Sequence, residues 1–255
     1  MQVQNSKEER GIAIEEVGIT KVMVPLSISD KANGKQQVVA TVNMSVNLPG
    51  NRRGTHMSRF IEVIKEYRGY DFNNNSLDEV LLALKNRLNA DSAFLELSFD
   101  YFIEKVSPAS KEKSLMHYEC KIIGKLFEDK KETYLEVFVP ISSVCPCSLA
   151  ISDTGAHNQR GIVHVTVKTN EFVWLEDLIT LIERCGSGEM YALLKRDDEK
   201  YVTEKMFANP KFVEDVVRDI AVELGHNTCI DTFCVECTSY ESIHNHNAYA
   251  KITKK

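Results

Sequence analysis

Long apolar runs are missing from this 255-residue chain. No stretch approaches the roughly 18 consecutive apolar residues that a membrane-spanning helix requires. The opening segment, MQVQNSKEERG, lacks the apolar core of a signal peptide. Both absences predict a cytoplasmic protein that does not engage a membrane. A surplus of basic charge is missing too: 31 Lys and Arg stand against 37 Asp and Glu, a net charge of −6. That balance argues against broad nucleic-acid binding. It leaves room for a small anion held by a local cluster, such as Arg52, Arg53, His56 and Arg59 in GNRRGTHMSR or Lys195, Arg196 and Lys200 in LLKRDDEK. Each cluster also has a plain reading as solvated surface charge. Finally, a disulfide framework is missing, because seven cysteines are an odd number with no small-scaffold spacing. Reduced thiols remain free to bind metal or to react.

What is present is an ordinary globular composition, 43% hydrophobic and 27% charged, enough for one large or two ordinary domains. TVNMSVNLPG alternates, with Val42, Met44, Val46 and Leu48 on one face, and reads as a half-buried strand partnered by GITKVMVPLSI. HMSRFIEVIKEYRG carries Met57, Phe60, Ile61 and Ile64 at helical spacing. A second helix opens on SLDE, where Ser76 and Glu79 form a capping-box pattern, and turns Val80, Leu81, Leu84 and Leu88 inward. AFLELSFDYFIEKV and HYECKIIGKLFE read as strands. The second half repeats the order. ETYLEVFVPI and GIVHVTVKT are strands, and WLEDLITLIERCG is a helix. NPKFVEDVVRDIAVELG is a helix with Asn209 as cap, Pro210 in the first turn, and Phe212, Val216, Ile220 and Leu224 as its apolar row. DTFCVECTSY and HNAYAKI close as strands. The expected class is α+β: two ββααββ units, residues 1–129 and 130–255, each an antiparallel sheet with helices on one face. Open sheet edges in such units call for pairing between units or between chains.

The densest chemistry lies in VCPCSLAISDTGAHNQR, which places Cys145, Cys147 and His157 in one turn-rich stretch. If extended conformation persists past Pro146, both thiols share a side. A metal site, a nucleophile and simple packing are all open to these residues, and the polar loop that follows favours metal or catalysis. CVEC (Cys234, Cys237) is a decoy, because positions three apart on a strand face opposite ways. A catalytic metal site of the zinc type needs a third protein ligand, and Asp197, Asp198, Glu199, Glu204 and Glu214 crowd the segment before the last helix. Any one of them is equally readable as part of a solvated acidic loop. His244 and His246 in ESIHNHNAYA suit general acid–base work or an exposed polar face.

Five motifs in order, GTHMSRF, CPCSLAISDTGAHNQR, RDDEKYVTE, NPKFVEDVVRD and ESIHNHNAYA, resemble those of GTP cyclohydrolase IB, from about residue 12 to the end. The resemblance implies tandem tunnelling-fold (T-fold) units, a homotetramer with active sites at subunit interfaces, and a divalent metal, zinc or manganese. The second unit would carry the metal site. The reaction it implies is GTP plus water giving formate and 7,8-dihydroneopterin triphosphate, a first step toward tetrahydrofolate and some modified tRNA bases. Matched motif by motif, Cys145, His157 and Glu199 take the place of metal ligands, Cys147 lies beside them, and Glu214 takes the place of the residue that holds guanine. Two positions depart from the family pattern: Leu149 stands where lysine is usual and Asp197 where proline is frequent. The first bears on affinity for an anionic substrate rather than on the chemistry.

The implied chemistry suits these groups. Water must add at C8 of guanine, and a bound divalent ion brings the pKa of water toward about 7. Proton transfers to ring nitrogens need an acid–base group, which His244, His246 or the Cys147 thiol would supply. A Glu214 carboxylate accepts from guanine N1–H and the 2-amino group, a donor pair that adenine lacks. Arg52, Arg53, His56, Arg59 and Lys200 are the basic residues available for the triphosphate, some from another subunit. Two rival readings are a T-fold nitrile reductase with a cysteine nucleophile and no metal, and a non-catalytic metal- or pterin-binding protein.

Overall fold

The computed structural model describes residues 4, 6–128 and 130–255, with the backbone alone at 74 and 75. In chain order the elements are β1 (Ile14–Asp30), β2 (Gly34–Leu48), α1 (Met57–Glu66), β3 (Asp71–Phe72), α2 (Asn74–Leu88), β4 (Ser92–Val106), β5 (Lys113–Phe127), β6 (Lys130–Val144), α3 (Pro146–Ile151), β7 (Asn158–Thr169), α4 (Leu175–Arg184), α5 (Arg196–Ala208), α6 (Val213–His226), β8 (Ile230–Ser239) and β9 (Ala248–Lys254). The class is α+β, as expected. The chain forms two compact units: residues up to Asp100 with Lys121–Tyr134, and Tyr101–Cys120 with Leu135–Lys255. The expected boundary falls on Asp129, outside the described residues, as do residues 1–3 and 5 of the polar N-terminal stretch.

In the first unit the strand order is β3-β1-β2-β4-β5-β6. β1 and β4 run antiparallel to β2, and two-residue β3 adds parallel to β1. Strict alternation drives this sheet. Val42, Met44, Val46 and Leu48 are all buried, on the same face of β2 as Val38 and Ala40. Each valine, leucine or methionine so buried contributes about 1.5–3 kcal/mol of transfer free energy. α2 buries Val80, Leu81, Leu84 and Leu88, as its spacing requires. Its cap differs from expectation. The reciprocal pair is Asn73 and Ser76: Ser76 N donates to Asn73 Oδ1 (3.2 Å) and Asn73 N to Ser76 Oγ (2.8 Å). The serine read as the cap is thus the inner member of the box, and the helix begins one turn earlier. α1 also departs in part. Phe60, Val63 and Ile64 are buried, whereas Met57 and Ile61 are each 44% exposed.

The second unit has the order β4-β5-β6-β7-β8-β9, with β7 antiparallel to β8 and β8 to β9. Val163, Val165 and Val167 are fully buried on one face of β7. Cys237 is buried on β8 while Cys234 lies on its other face, half-buried, as the strand period demands. A plain ββααββ order does not describe this half. α3 interrupts β6 and β7, and three helices rather than two follow β7. The extra helix is α5, in the acid-rich segment read as a loop. Among its described residues only Asp198 is buried, so it has no apolar stripe for a periodicity argument to find. Its start is held instead by Asp198, whose Oδ1 accepts from Ala109 N (2.7 Å) and Ser110 N (2.8 Å) and whose Oδ2 accepts from Lys195 N (2.8 Å). Burial alone would raise this carboxyl, but a hydrogen bond from Ser110 Oγ (2.5 Å), together with the main-chain bonds, holds it well below the ordinary aspartate range. Asn209, expected to cap the last helix, ends α5 (φ −134°, ψ 59°), because the residue before a proline is pushed out of the helical region. α6 therefore starts at Val213 and buries Val216, Val217, Ile220 and Leu224, leaving Phe212 39% exposed.

Candidate active site

The site lies in the second unit, where β6 ends and β7 begins. β6 stops at Val144. Cys145 (φ −71°, ψ 117°) caps α3, its Sγ accepting from Ser148 N at 3.4 Å, and Pro146 takes the first helical position. Cys147 therefore does not share the side of Cys145. Extended conformation ends at Pro146, and the second thiol is carried onto an exposed face of α3. The chain returns through Gly155, whose φ of +135° glycine tolerates, and re-enters the sheet. One backbone bond closes the excursion: Cys145 N donates to His157 O at 3.1 Å. That bond brings together two side chains twelve positions apart in sequence.

His157 is held in one tautomer. Gln159 Nε2 donates to Ser143 Oγ (3.2 Å) and to Glu241 Oε1 (3.3 Å), which turns Gln159 Oε1 toward His157 Nδ1 at 2.8 Å. Nδ1 must carry the proton, so Nε2 is left with its lone pair for a ligand or a proton. Glu241 Oε2 stands 3.8 Å from Nδ1, Ser239 Oγ donates to Glu241 Oε1 (3.0 Å), and both the His157 and Glu241 side chains are 13% exposed.

The start of α6 joins the same place through Lys211 N, which donates to Val144 O at 3.1 Å. Asp215 caps the helix by accepting from Phe212 N (3.0 Å), so Glu214, exposed in the first turn, is not needed as a cap. Among the described residues none hydrogen-bonds the Glu214 carboxylate. Beyond β8, His244 and His246 lie in a loop rather than on a strand, with their rings stacked at 4.9 Å and 18°. Cys145, His157, Glu214, His244 and His246 all line one cavity of about 330 Å³, together with Ser143, Gln159, Lys211, Glu241 and Tyr249.

Other expected residues stand elsewhere. Glu199 is exposed at the start of α5 and, like Cys147, does not line this cavity. Lys200 is exposed on α5, 3.9 Å from Glu204. Arg52, Arg53, His56 and Arg59 belong to the first unit. There Arg52 donates to Asn89 O (2.7 Å) and Arg59 to Arg87 O (3.0 Å), each spending one of five guanidinium donors. His56 precedes α1 with its Nε2 buried and without a partner among the described residues. A second cavity, of about 480 Å³ in the first unit, is lined by Glu15, Glu16, Phe94, Lys125 and Phe127 but by no histidine or cysteine. A third, of about 670 Å³ in the second unit, has Cys185 but no histidine in its lining.

Sequence reasoning missed Gln159 and Glu241. Gln159 sits two residues after His157 on a strand, so period two puts them on one face. Glu241 opens the ESIHNH motif, but only the β8 register shows that it reaches His157.

The donor set suits a divalent metal in kind but not in number. Cys145 and the free Nε2 of His157 are two zinc-type ligands. Among the described residues no three His, Cys, Asp or Glu side chains are grouped to hold an ion.

Comparison with known proteins decides the family. The family described as type I GTP cyclohydrolase folE2 matches residues 1–250. The chain belongs to that family. GTP cyclohydrolase FolE2 of Syntrophus aciditrophicus (strain SB) is 50% identical over 253 residues, covering 99% of each chain. The protein of the same name from Syntrophobacter fumaroxidans is also 50% identical over 253 residues, covering 99% of this chain and 98% of that one. Among solved structures, the uricase of Arthrobacter globiformis superposes with a TM-score of 0.53 at 7% identity, over 94% of this chain and 93% of its own. That likeness concerns the fold alone, and it agrees with the T-fold-like arrangement expected of this cyclohydrolase family. No helix among the described residues is long and apolar enough to cross a membrane.

Proposed function

We propose that this GTP cyclohydrolase opens the imidazole ring of GTP at the Cys145–His157 cavity, giving formate and 7,8-dihydroneopterin triphosphate for folate biosynthesis. The observation that carries the reading is the convergence of Cys145, His157, Glu214, His244 and His246 on one cavity from four separate chain segments. Glu214 holds guanine by accepting from N1–H and the 2-amino group. A base without that donor pair leaves the carboxylate unmatched. His244 and His246, exposed at the rim, deliver and remove protons at the ring nitrogens as C8 is hydrated and lost. Gln159 and Glu241 keep His157 Nδ1 protonated so that Nε2 always faces the reaction.

Cys145 and His157 are the residues of this chain that would hold a divalent ion, and the thiolate favours zinc over manganese. Such an ion, when bound, supplies an acidified water. The third ligand implied by the resemblance, Glu199, does not join them within one chain's cavity. The homotetramer with interfacial sites implied by the same resemblance lets a second copy furnish it, along with Arg52, Arg53, His56, Arg59 or Lys200 for the triphosphate. The tandem reading, residues 1–129 followed by residues 130–255 with the metal site, is supported by the strand–helix–strand order common to both halves. The test is incubation with GTP before and after chelation, following the fluorescent pterin and formate. Turnover lost on chelation and restored by zinc supports the reading; full turnover in Cys145→Ala or His157→Ala sinks it.

A further inference from the structure

A second set of buried charges lies in the same unit, outside the cavity. Lys105 Nζ on β4 meets both oxygens of Glu183 on α4 (2.8 and 2.9 Å) and Glu189 Oε2 (3.2 Å) in the connection between α4 and α5. It also lies over the ring of Tyr191, 4.6 Å from the centroid. Tyr118 OH on β5 donates to Glu183 Oε1 (2.7 Å), and Lys205 on α5 reaches Glu189 Oε1 (3.5 Å). The Lys105 and Glu183 side chains are 9% and 6% exposed. Burial alone would raise the Glu189 carboxyl, but Lys105 and then Lys205 hold it below the ordinary carboxylate value. A charged cluster with this little exposure is costly to build and is weak evidence for stability, so another role is worth seeking.

The geometry supplies one. The segment carrying Glu189 and Tyr191 starts at Gly186, and its first residues are laced to the last residues of β6. Ser187 N donates to Ser142 O (2.9 Å), Ser142 Oγ to Gly188 O (2.7 Å) and Val144 N to Ser187 Oγ (3.1 Å). Asn209 Nδ2 donates to Gly186 O (3.0 Å), tying in the lead to α6. Val144 immediately precedes Cys145, and its carbonyl also takes the Lys211 bond that seats α6. We infer that Lys105 and Glu189 are positioning residues: through the 186–191 connection they set where β6 ends, and so the direction of the Cys145 thiol and the seat of Glu214. The inference rests on the proposed assignment of Cys145 and Glu214 to the reaction.

The first test is Glu189→Gln, which keeps the shape and removes the charge that answers Lys105. Glu189→Asp serves as the conservative rescue, and Val167→Ala, on the far end of β7, as a destabilised control. At a temperature where all are folded, kcat/KM for GTP should fall about tenfold to a hundredfold in Glu189→Gln, the range that small misplacement of reacting groups produces. Glu189→Asp should recover part of it, and Val167→Ala should lose none despite a lower Tm. Amide exchange should quicken at residues 142–145 in Glu189→Gln alone. If Glu189→Gln fails to fold, the apolar replacement Lys105→Met, Glu183→Leu, Tyr118→Phe answers the same question, since such swaps commonly preserve stability. Wild-type kcat/KM in either folded variant overturns the inference, as does failure of both variants to fold, which makes the cluster structural only. Exchange at 142–145 is read without turnover. If Cys145→Ala keeps full activity, the site assignment fails, while exchange still reports whether the network holds the strand end.

Discussion

The corner between β1 and β2 and the corner between β6 and β7 hold the same place in the two halves of the chain, and they are built in opposite ways. In the first, three residues suffice. Asp30 Oδ1 accepts from Ala32 N (2.9 Å) and Asn33 N (2.6 Å), Gly34 supplies a φ of +80°, and Asp30 pairs with Gly34 across the hairpin. Its carboxylate is spent on the turn's own main chain. In the second, residues 145–157 replace the turn. They hold a six-residue helix, two thiols and a histidine, and are closed by one backbone bond. A tight turn spends its hydrogen bonds on itself. A long one, pinned at its base, can leave a group such as His157 Nε2 without an internal partner among the described residues. The same strand frame thus supports rigidity at one corner and chemistry at the other.

The comparison breaks most sharply on activity. Cys145→Ala and His157→Ala should each lower GTP turnover about a thousandfold or more, as removal of an essential group does elsewhere. Circular dichroism should show both folded. Turnover within tenfold of the parent would mean that the β6–β7 corner is no more functional than its counterpart.

Glu214→Gln comes next. An amide cannot accept from both guanine donors, so KM for GTP should rise about tenfold to a hundredfold, the worth of a charged hydrogen bond. Its effect on Tm should be small, because Asp215 rather than Glu214 caps α6. Steady-state kinetics with GTP decide it, and an unchanged KM removes Glu214 from the base site.

Gln159→Leu frees His157 to change tautomer. Turnover should drop about tenfold, with 10–100-fold being usual when the partner that orients a ligand is lost. A nitrogen-15 NMR tautomer assignment should show Nε2–H appearing in the variant. If Nδ1–H persists, the orienting role is wrong.

At the opposite corner, Asp30→Ala should cost about 0.5–1.5 kcal/mol in urea unfolding, because two main-chain donors of the turn lose their protein acceptor. At 25 °C its kcat should equal the parent's. A large fall in kcat with the fold intact would erase the contrast between the corners.

The smallest effect is in acid. Glu189 is depressed in the folded state, so its contribution is fully present above the ordinary glutamate value of 4.5 and fades as pH falls through the lower folded value. Glu189→Gln should therefore flatten the loss of stability below pH 4.5. Urea titrations at pH 3.5 and pH 7 measure it, and identical acid limbs in the two proteins would contradict the shift.

Where one local period fits the buried face, the reading from residues alone survives. Val42, Met44, Val46 and Leu48 on β2, the valines of β7 and the four aliphatics of α2 are buried as spacing requires. The exclusion of Cys234 and Cys237 follows from the same period. Where burial is partial or absent, it does not survive. Met57 and Ile61 have helical spacing but face outward, and α5 has no apolar stripe. Asn209 and Ser76 are cap formers whose positions depended on Pro210 and on Asn73. The candidate site was legible as a set of residue types, Cys145, His157, Glu214 and the two histidines, and the family was legible in the order of its motifs. Gln159 and Glu241 were not, since neither carries a signal apart from the register that sets it beside His157.

The sequence by itself therefore determined the class of fold, the faces of its regular strands and helices, and the chemical kinds of group available for the reaction, because these follow from side-chain period and functional-group identity. The tertiary structure decided which of those groups meet. Cys145 and His157 are joined by a main-chain bond, Glu214 arrives because Lys211 N finds Val144 O, Glu241 by the end of β8, and Glu199, exposed on α5, does not line the cavity. Main-chain hydrogen bonds are the same for every residue type, so the contacts that assemble the cavity leave no mark in the order of side chains.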